Sequence, residues 1–412
     1  MTQLRDYQIE LSDKAVEKLN RYKIAYLAME VRTGKTITSL SAAYKFGAKN
    51  VLFVTKKKAI SDIVKQGTEL DYDMKVFVVN YEQLHKVEYG WDLVIVDEAH
   101  SLGAFPIVSN RAKELKRICV ATPIIYLSGT PTPESYSQIY HQLWISQFSP
   151  FAIYKTFYKW ANEFVDIKKK WIGGRSHNDY SNADKVLIDG YTNHLFLNFT
   201  QMDAGFESLV QENILYVKME ESTYKLANML RKDRIVTNKE DQSVIADTGA
   251  KMMGKLHQIY SGSVIVDEPE RLAKAFDYTK AEFIKEYFKG KKIAIFYKFA
   301  AELAILNFVL GEEITFDAEH FNSGSYRIFA SQIVSGREGI NLSTADALVF
   351  YNIDFSATSY FQARARLQTK DREKEAQIYW IFSEGGIEDK IYKTVIDKKD
   401  FTLSHFKQYY NA

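Results

Sequence analysis

The sequence predicts an α/β protein of two lobes, each built on a parallel sheet, joined by a mostly helical insertion. Three observations carry this. In the first 150 residues, short apolar runs alternate with amphipathic stretches: NVLFVT (50–55), KVFVVN (75–80), DLVIVD (92–97) and IIYLSGT (124–130) are separated by segments such as 36–47 and 58–70. The cores of these runs lack polar alternation, which predicts strands covered on both faces of a doubly wound sheet. The same rhythm returns from residue 291 in KKIAIFYK, EEITFDA, SYRIFAS, DALVFYN and AQIYWIF. Between about 150 and 260 the rhythm is missing. That stretch is aromatic and charged, and it reads as mostly helical with an irregular piece at 173–185. The expected division is therefore 1–150, an insertion at 151–260 leading into the second lobe, and 261–412. A chain of 412 residues exceeds one ordinary core, so more than one domain is expected.

Composition narrows the class. Hydrophobic residues are 46% and charged residues 26%, as in ordinary globular proteins. No apolar run approaches the roughly 20 residues that cross a bilayer, so no membrane partner is expected. The start, MTQLRDYQIELSDKA, carries neither a signal-peptide apolar core nor a transit pattern. With Cys119 the single cysteine, no disulfide framework can form within the chain, and a reducing cytoplasm is the expected setting. A net charge of +2 excludes a uniformly basic coat, so any polyanion contact must come from local patches. The abundance of Tyr, Phe, Ile, Lys and Asn suggests AT-rich coding, as in a low-GC bacterium or its phage.

The chemistry begins at MEVRTGKT (29–36), ahead of a helical stretch. Gly34 would let backbone amides approach a phosphate, Lys35 would reach the outer phosphates, and Thr36 would offer its hydroxyl to magnesium. The full phosphate-loop pattern has glycine where this chain has Met29. About sixty residues later, LVIVDEAH places Asp97 and Glu98 at the end of a buried strand. Parallel strands bring their carboxyl ends to one edge, so loop and acids would face each other across a nucleotide. Asp97 would hold the metal, and Glu98 would orient or deprotonate the attacking water. The bland alternative for the acids is a strand followed by an acidic turn.

As a set, GKT, DEAH and LSGTPTP (127–133) resemble motifs I, II and III of superfamily 2 helicases. LRDYQ (4–8) resembles the adenine-reading segment of the Swi/Snf-type branch. SGREGINLSTADALVFYNIDFSATSYFQARARLQ (335–368) resembles motifs V and VI of that branch, close to small phage-type members. The resemblance implies two RecA-like lobes, ATP and Mg2+ as cofactors, and DNA as partner. It implies an ATP site of Arg5, Tyr7, Gln8, Arg32, Thr33, Gly34, Lys35, Thr36, Glu338 and Gly339. Catalysis would fall to Lys35, Asp97, Glu98, Gln362, Arg364 and Arg366, with the metal on Thr36 and Asp97. Where the family carries a second arginine this chain has Thr369, and Arg364, Lys370 or Arg372 are the alternatives.

By the same resemblance, DNA would lie along Thr55, Lys56, Lys57, Asn80, Tyr81, Thr130, Ser335 and Gly336. His100 and Ser128 would couple that track to the nucleotide. Lys168 to Lys170 beside Trp171 could add a further contact. Binding would be backbone-led and independent of sequence, because no base-reading module is apparent. The expected activity is an ATP-driven monomeric DNA motor in bacterial or phage replication, recombination or repair, with replication or repair proteins as possible partners. The alternatives are an RNA helicase, and a nucleic-acid-binding scaffold with a degenerate ATPase site.

Overall fold

The computed structural model describes residues 3–172, 175–205, 210–336, 342, 344–356, 359–360 and 376–397. The chain divides into two compact units, 1–206 and 207–412.

The first unit holds a six-stranded sheet in the order β3-β2-β4-β5-β1-β8. Its strands are β1 (Ile24–Met29), β2 (Asn50–Thr55), β3 (Lys75–Asn80), β4 (Leu93–Asp97), β5 (Ile124–Leu127) and β8 (Phe196–Phe199), and every pairing is parallel. β1, β4 and β5 are buried along nearly their whole length, as a sheet covered on both faces requires. Alternate residues of β1 feed two cores. Ala25, Leu27 and Met29 pack with Leu11, Leu19 and Leu40 of helices α1 (Asp6–Tyr22) and α2 (Lys35–Phe46). Ile24 and Tyr26 pack with Leu115, Tyr140 and Trp160 from the opposite helical layer. β6 (Lys168–Ile172) and β7 (Arg175–Asp179) form a separate antiparallel ribbon that precedes β8 in the chain.

The second unit repeats the plan with the order β15-β16-β14-β17-β18-β9, again all parallel. Its strands are β9 (Val210–Val217), β14 (Ile293–Tyr297), β15 (Ile314–Thr315), β16 (Ile328–Gln332), β17 (Ala347–Phe350) and β18 (Ala376–Ser383). Two small hairpins accompany it: β10 (Ile235–Thr237) with β11 (Ser243–Ile245), and β12 (Ser263–Val266) with β13 (Leu272–Ala275). Among the described residues, no helix is long and apolar enough to cross a membrane.

The α/β architecture with parallel sheets matches the sequence expectation, but the separate helical insertion at 151–260 does not appear. Residues 157–199 belong to the first unit because β8 pairs with β1, and β9 joins the second because it pairs with β18 over eight residues. Nor is the stretch mostly helical. It contributes β6 to β11, most of them too short or too polar to stand out as apolar runs.

Beneath the second sheet, Lys280 Nζ lies 2.7 Å from Glu388 Oε1 with both side chains fully buried. Removing one partner of such a pair leaves an uncompensated buried charge, worth about 3–5 kcal/mol. Lys280→Met should therefore lower unfolding free energy in urea by about that amount, and Lys280→Met/Glu388→Leu should recover most of it. A single-variant loss below about 1 kcal/mol would contradict this burial.

Candidate active site

Because all six strands of the first sheet run parallel, their carboxyl ends share one edge, and the expected residues sit there. Lys35 follows β1 by a short loop, Asp97 ends β4, Ser128 follows β5, and Thr55 ends β2. The loop 30–34 is shaped by two left-handed residues, Arg32 at φ 64° and Gly34 at φ 86°. A side chain at Gly34 would be doubly excluded, since a Cβ would stand 2.1 Å from Gln8 Nε2. Met29, in place of the pattern's glycine, is buried in the core at the end of β1, and the turn forms after it.

Lys35 Nζ donates to the carbonyls of Met29 at 3.0 Å and Glu30 at 3.1 Å, so the ammonium is folded over its own loop. Thr33 is buried and its Oγ1 donates to Glu30 O. Thr36 lies half-buried in the first turn of α2. The amino-terminal segment closes over this loop. Arg5 donates its backbone N–H to Gln8 Oε1 and its guanidinium to Tyr7, while Tyr7 donates to Thr33 O and stacks on Phe199 at 4.8 Å. Arg5, Tyr7, Gln8, Thr33, Gly34 and Lys35 are thus gathered in one place. Sequence reasoning missed the far wall. Glu30 N–H donates to Phe199 O, and Gln201 donates to Glu30 Oε2 and Val31 O, so the end of β8 braces the loop. The apolar LFLNF before Thr200 was the available signal.

Asp97 is held on two sides. Thr55 Oγ1 donates to its Oδ2 at 2.8 Å, and the Tyr81 hydroxyl donates to its backbone carbonyl. Both residues are expected on the DNA track, and in the structure both hydroxyls turn to the end of β4. Thr55 is fully buried with its hydroxyl on the acid, and Tyr81 is buried with its hydroxyl on the end of β4. Asn80 is buried too, its side chain accepting from Gln83 N–H as the cap of the following turn. Lys56 is half-buried, Lys57 is exposed, and Thr130 is half-buried with its N–H on Ser128 Oγ. Ser335 and Gly336 end a short helix of the second unit, Ile333–Gly336. Glu338, Gly339, Gln362, Arg364 and Arg366 lie outside the described residues, as do Thr369, Lys370 and Arg372.

Glu98 takes a left-handed φ of 52°, uncommon for a non-glycine residue and typical of functional turns. Its Oε2 lies 3.3 Å from His100 Nδ1, which lies 3.0 Å from Ser128 Oγ. The three form a short polar chain from the acid to the loop after β5. Burial, with the charge of Glu98, pushes the Asp97 carboxyl up to about 6, opposed by Thr55 and by the positive charge of Lys35. Lys35 and Asp97 therefore act on each other across the same edge.

The donors suit magnesium arriving with a nucleotide. Among the described residues no group of three or more His, Cys, Asp or Glu side chains could hold a metal alone. Magnesium is commonly held by one or two protein oxygens completed by phosphates and water. Thr36 and Asp97 at this edge provide that kind of incomplete set.

Comparison with known proteins adds two domain matches and distant relatives. Residues 51–262 match the SNF2-related domain, and residues 1–69 match the type III restriction enzyme res subunit. A rice protein named "Probable chromatin-remodeling complex ATPase chain" is 21% identical over 75% of this chain and 29% of its own length. The Arabidopsis thaliana "ISWI chromatin-remodeling complex ATPase CHR11" is 22% identical over 75% of this chain and 31% of its own length. The chain thus spans about a third of the length of these curated relatives. Among solved structures, the "Sulfolobus solfataricus SWI2/SNF2 ATPase core in complex with dsDNA" aligns over 99% of this chain and 93% of that one, with 16% identity and a TM-score of 0.43.

The electrostatics make a signed prediction. A carboxyl whose folded pKa of about 6 exceeds its unfolded value near 4 binds its proton more tightly when folded. Its contribution to stability therefore declines as pH rises from about 4 through about 6. In magnesium-free solution, Asp97→Asn should be more stable than wild type at pH 7, with the gain fading below about pH 4. Carboxyl NMR should find Asp97 titrating near 6, and higher in Thr55→Val. An Asp97 titration at or below 4 would contradict this.

Proposed function

Because the chain belongs to the SNF2-related domain family, we propose that it is a DNA-dependent ATPase that uses ATP hydrolysis to move along DNA. The observation that carries this reading is the convergence of Lys35 with the Asp97–Glu98 pair at one sheet edge, with Lys35 close enough to lower the pKa of Asp97. A phosphate-binding cation and a metal-binding acid have no structural need to meet there. Parallel topology and the loop conformation bring them together.

In this reading Lys35 leaves the carbonyls of Met29 and Glu30 for the outer phosphates of ATP. The amides around Gly34 and the start of α2 receive the phosphate oxygens, where helix geometry favours negative charge. The Gln8 amide, packed against Gly34 and held through its Oε1 by the Arg5 backbone N–H, reads the adenine edge. Magnesium, when bound through Thr36 and Asp97, supplies charge neutralisation for the phosphates. Thr55 and Tyr81 are positioning residues, keeping Asp97 oriented toward that metal. Glu98 takes the proton of the attacking water or aligns it.

His100 and Ser128 link Glu98 to the loop after β5, and so connect hydrolysis to the surface expected to track DNA. Lys56 and Lys57 are the retained phosphate contacts on that surface. Gln362, Arg364 and Arg366 keep the transition-state role that the sequence resemblance implies. The relatives are named for chromatin remodelling and bear on this chain through the shared ATPase region. Composition supports a bacterial or phage setting, in replication, recombination or repair.

Steady-state ATP turnover tests the proposal, measured with magnesium and with no nucleic acid, single-stranded DNA, duplex, fork or RNA. Duplex or forked DNA should stimulate turnover more than RNA. Lys35→Ala and Glu98→Gln should each lower it at least about a hundredfold, the scale expected for groups that act on the transferring phosphoryl. Wild-type rates in either variant would remove the site assignment. Stimulation by RNA alone would replace the DNA reading.

A further inference from the structure

One buried amide in the first unit has no packing reason to be there. Gln142 lies on the helix Gln138–Trp144 beside Ile139, Tyr140 and Leu143 of the core, and it is fully buried. A leucine would fill a similar volume without the cost of drying an amide. The structure offsets that cost with three hydrogen bonds. The Tyr26 hydroxyl donates to Gln142 Oε1 at 2.6 Å, and Gln142 Nε2 donates to Pro131 O at 2.8 Å and to Gln138 O at 3.0 Å. Tyr26 is also fully buried, in the middle of β1, with its ring stacked on Phe196 at 4.3 Å and Tyr126 at 5.4 Å. The neighbouring Tyr126 hydroxyl is buried with no hydrogen-bond partner among the described residues, so a tyrosine in this layer does not by itself call for a glutamine.

The amide joins the strand that delivers the phosphate loop to the loop after β5. Residues 128–137 form neither helix nor strand, so side-chain bonds hold their course. Ser128 N–H donates to Leu27 O, Thr130 N–H to Ser128 Oγ, and Gln142 Nε2 to Pro131 O. The Ser128 side chain also bonds the Tyr26 hydroxyl. The same helix braces the turn that carries His100. A Cβ at Gly103 would stand 2.7 Å from the Gln138 carbonyl oxygen, and His141 Nδ1 lies 2.6 Å from Ala104 O. Burial pulls the His141 pKa down to about 4, so the neutral ring donates to that carbonyl. Ser128 thus stands between His100 on one side and the Tyr26–Gln142 pair on the other.

We propose that Tyr26 and Gln142 are positioning residues, which hold Ser128, Thr130 and Pro131 in the conformation through which DNA binding raises ATP turnover. Neither falls in a segment that the sequence resemblance marks. Both are fully buried, so they act through Ser128 and Pro131 and meet neither nucleotide nor DNA directly. Without the pair, the loop would still leave the sheet at Ser128, but its Pro131 end would lose its tie to β1. Removing the hydroxyl alone leaves Gln142 Oε1 buried without its donor, whereas replacing both groups by apolar ones leaves neither and is close to neutral for stability. Stability and coupling can therefore be separated. The inference rests on the DNA-dependent ATPase reading above.

The test compares ATP turnover by the full chain with and without duplex DNA, next to thermal unfolding. In Tyr26→Phe and Gln142→Leu, turnover without DNA should keep its kcat and its KM for ATP, since Lys35, Asp97 and Glu98 are untouched. Stimulation by saturating duplex should fall at least about fivefold, the lower end of coupling between two sites. Tyr26→Phe should also lower the unfolding temperature, and Tyr26→Phe/Gln142→Leu should regain most of that loss while stimulation stays low. Tyr126→Phe, which removes a hydroxyl from the next ring, should keep both stimulation and stability. Wild-type stimulation in either single variant overturns the inference alone, as does an equal loss of stimulation in Tyr126→Phe. A return of stimulation together with stability in the double variant would make the pair structural and also overturns it. So does a loss of turnover without DNA as large as the loss with it. A wild-type chain that duplex DNA does not stimulate overturns this inference together with the proposed function.

Discussion

The clasp on Asp97 is the interaction on which the first unit's chemistry depends. A carboxylate at the end of a buried strand would, left to itself, protonate or turn toward solvent. Thr55 at the end of β2 donates to its side chain, and Tyr81 just after β3 donates to its carbonyl. Strand pairing makes both contacts possible: β2 lies between β3 and β4, all three run parallel, and the register puts Val54 beside Val96 and Thr55 beside Asn80. A slip of one residue in either pairing would turn the Thr55 hydroxyl to the other face of the sheet. The geometry of the acid therefore follows from how apolar strands align several residues away.

The same arrangement sets an electrostatic tension. Burial and Glu98 push the Asp97 proton affinity up, while Thr55 and Lys35 pull it down. With Lys35 turned to the carbonyls of Met29 and Glu30, the balance leaves the carboxyl high. A divalent cation would tip it toward the charged form, since an opposite charge at close range favours ionisation. Glu98 takes a left-handed conformation, with its carboxylate 3.3 Å from His100 Nδ1.

The sequence made the sheet edges readable because buried parallel strands are the least ambiguous pattern a chain can write. LVIV before Asp97, NVLFV before Thr55 and IIYL before Ser128 each appear as strands at their expected places. Gly34, Lys35 and Gln8 were legible through spacing and resemblance. What failed did so for identifiable reasons. IAYLAM, the strand β1 that delivers the phosphate loop, follows α1 after the single residue Lys23 without a turn motif between them, so the pattern does not separate it from the helix. The sequence reads β6 and β7 as helix or irregular chain, since KKKWI and RSHND carry no apolar alternation. Thr55 and Tyr81 are expected on the DNA track because a motif's position says where a residue stands and leaves open which way it faces. Here both face inward.

The second sheet repeats the topology with a different polar edge. Its carboxyl edge is also polar, yet the groups there are matched to one another. Asn352, after β17, donates to Glu302 Oε1 at 2.6 Å and lies 2.5 Å from His257 Nε2, while Glu302 Oε2 accepts the N–H groups of Lys298 and Phe299. Burial keeps His257 neutral, far below its ordinary pKa, so Nε2 is the donor to Asn352 Oδ1 when that nitrogen carries the proton. Lys298 pairs with Asp354, holding that carboxyl below its ordinary range although burial works against it. Asp354 in turn accepts from Ser359 Oγ at 2.8 Å, shortly before Gln362, Arg364 and Arg366. The two edges thus differ: at the first, Lys35 rests on the carbonyls of Met29 and Glu30 beside a buried acid, and at the second, Glu302, Asn352, His257, Lys298 and Asp354 are bound largely to one another. Twin topology supplies two polar edges, and the degree to which each satisfies itself distinguishes a site that can accept a substrate from a frame that can position a side chain.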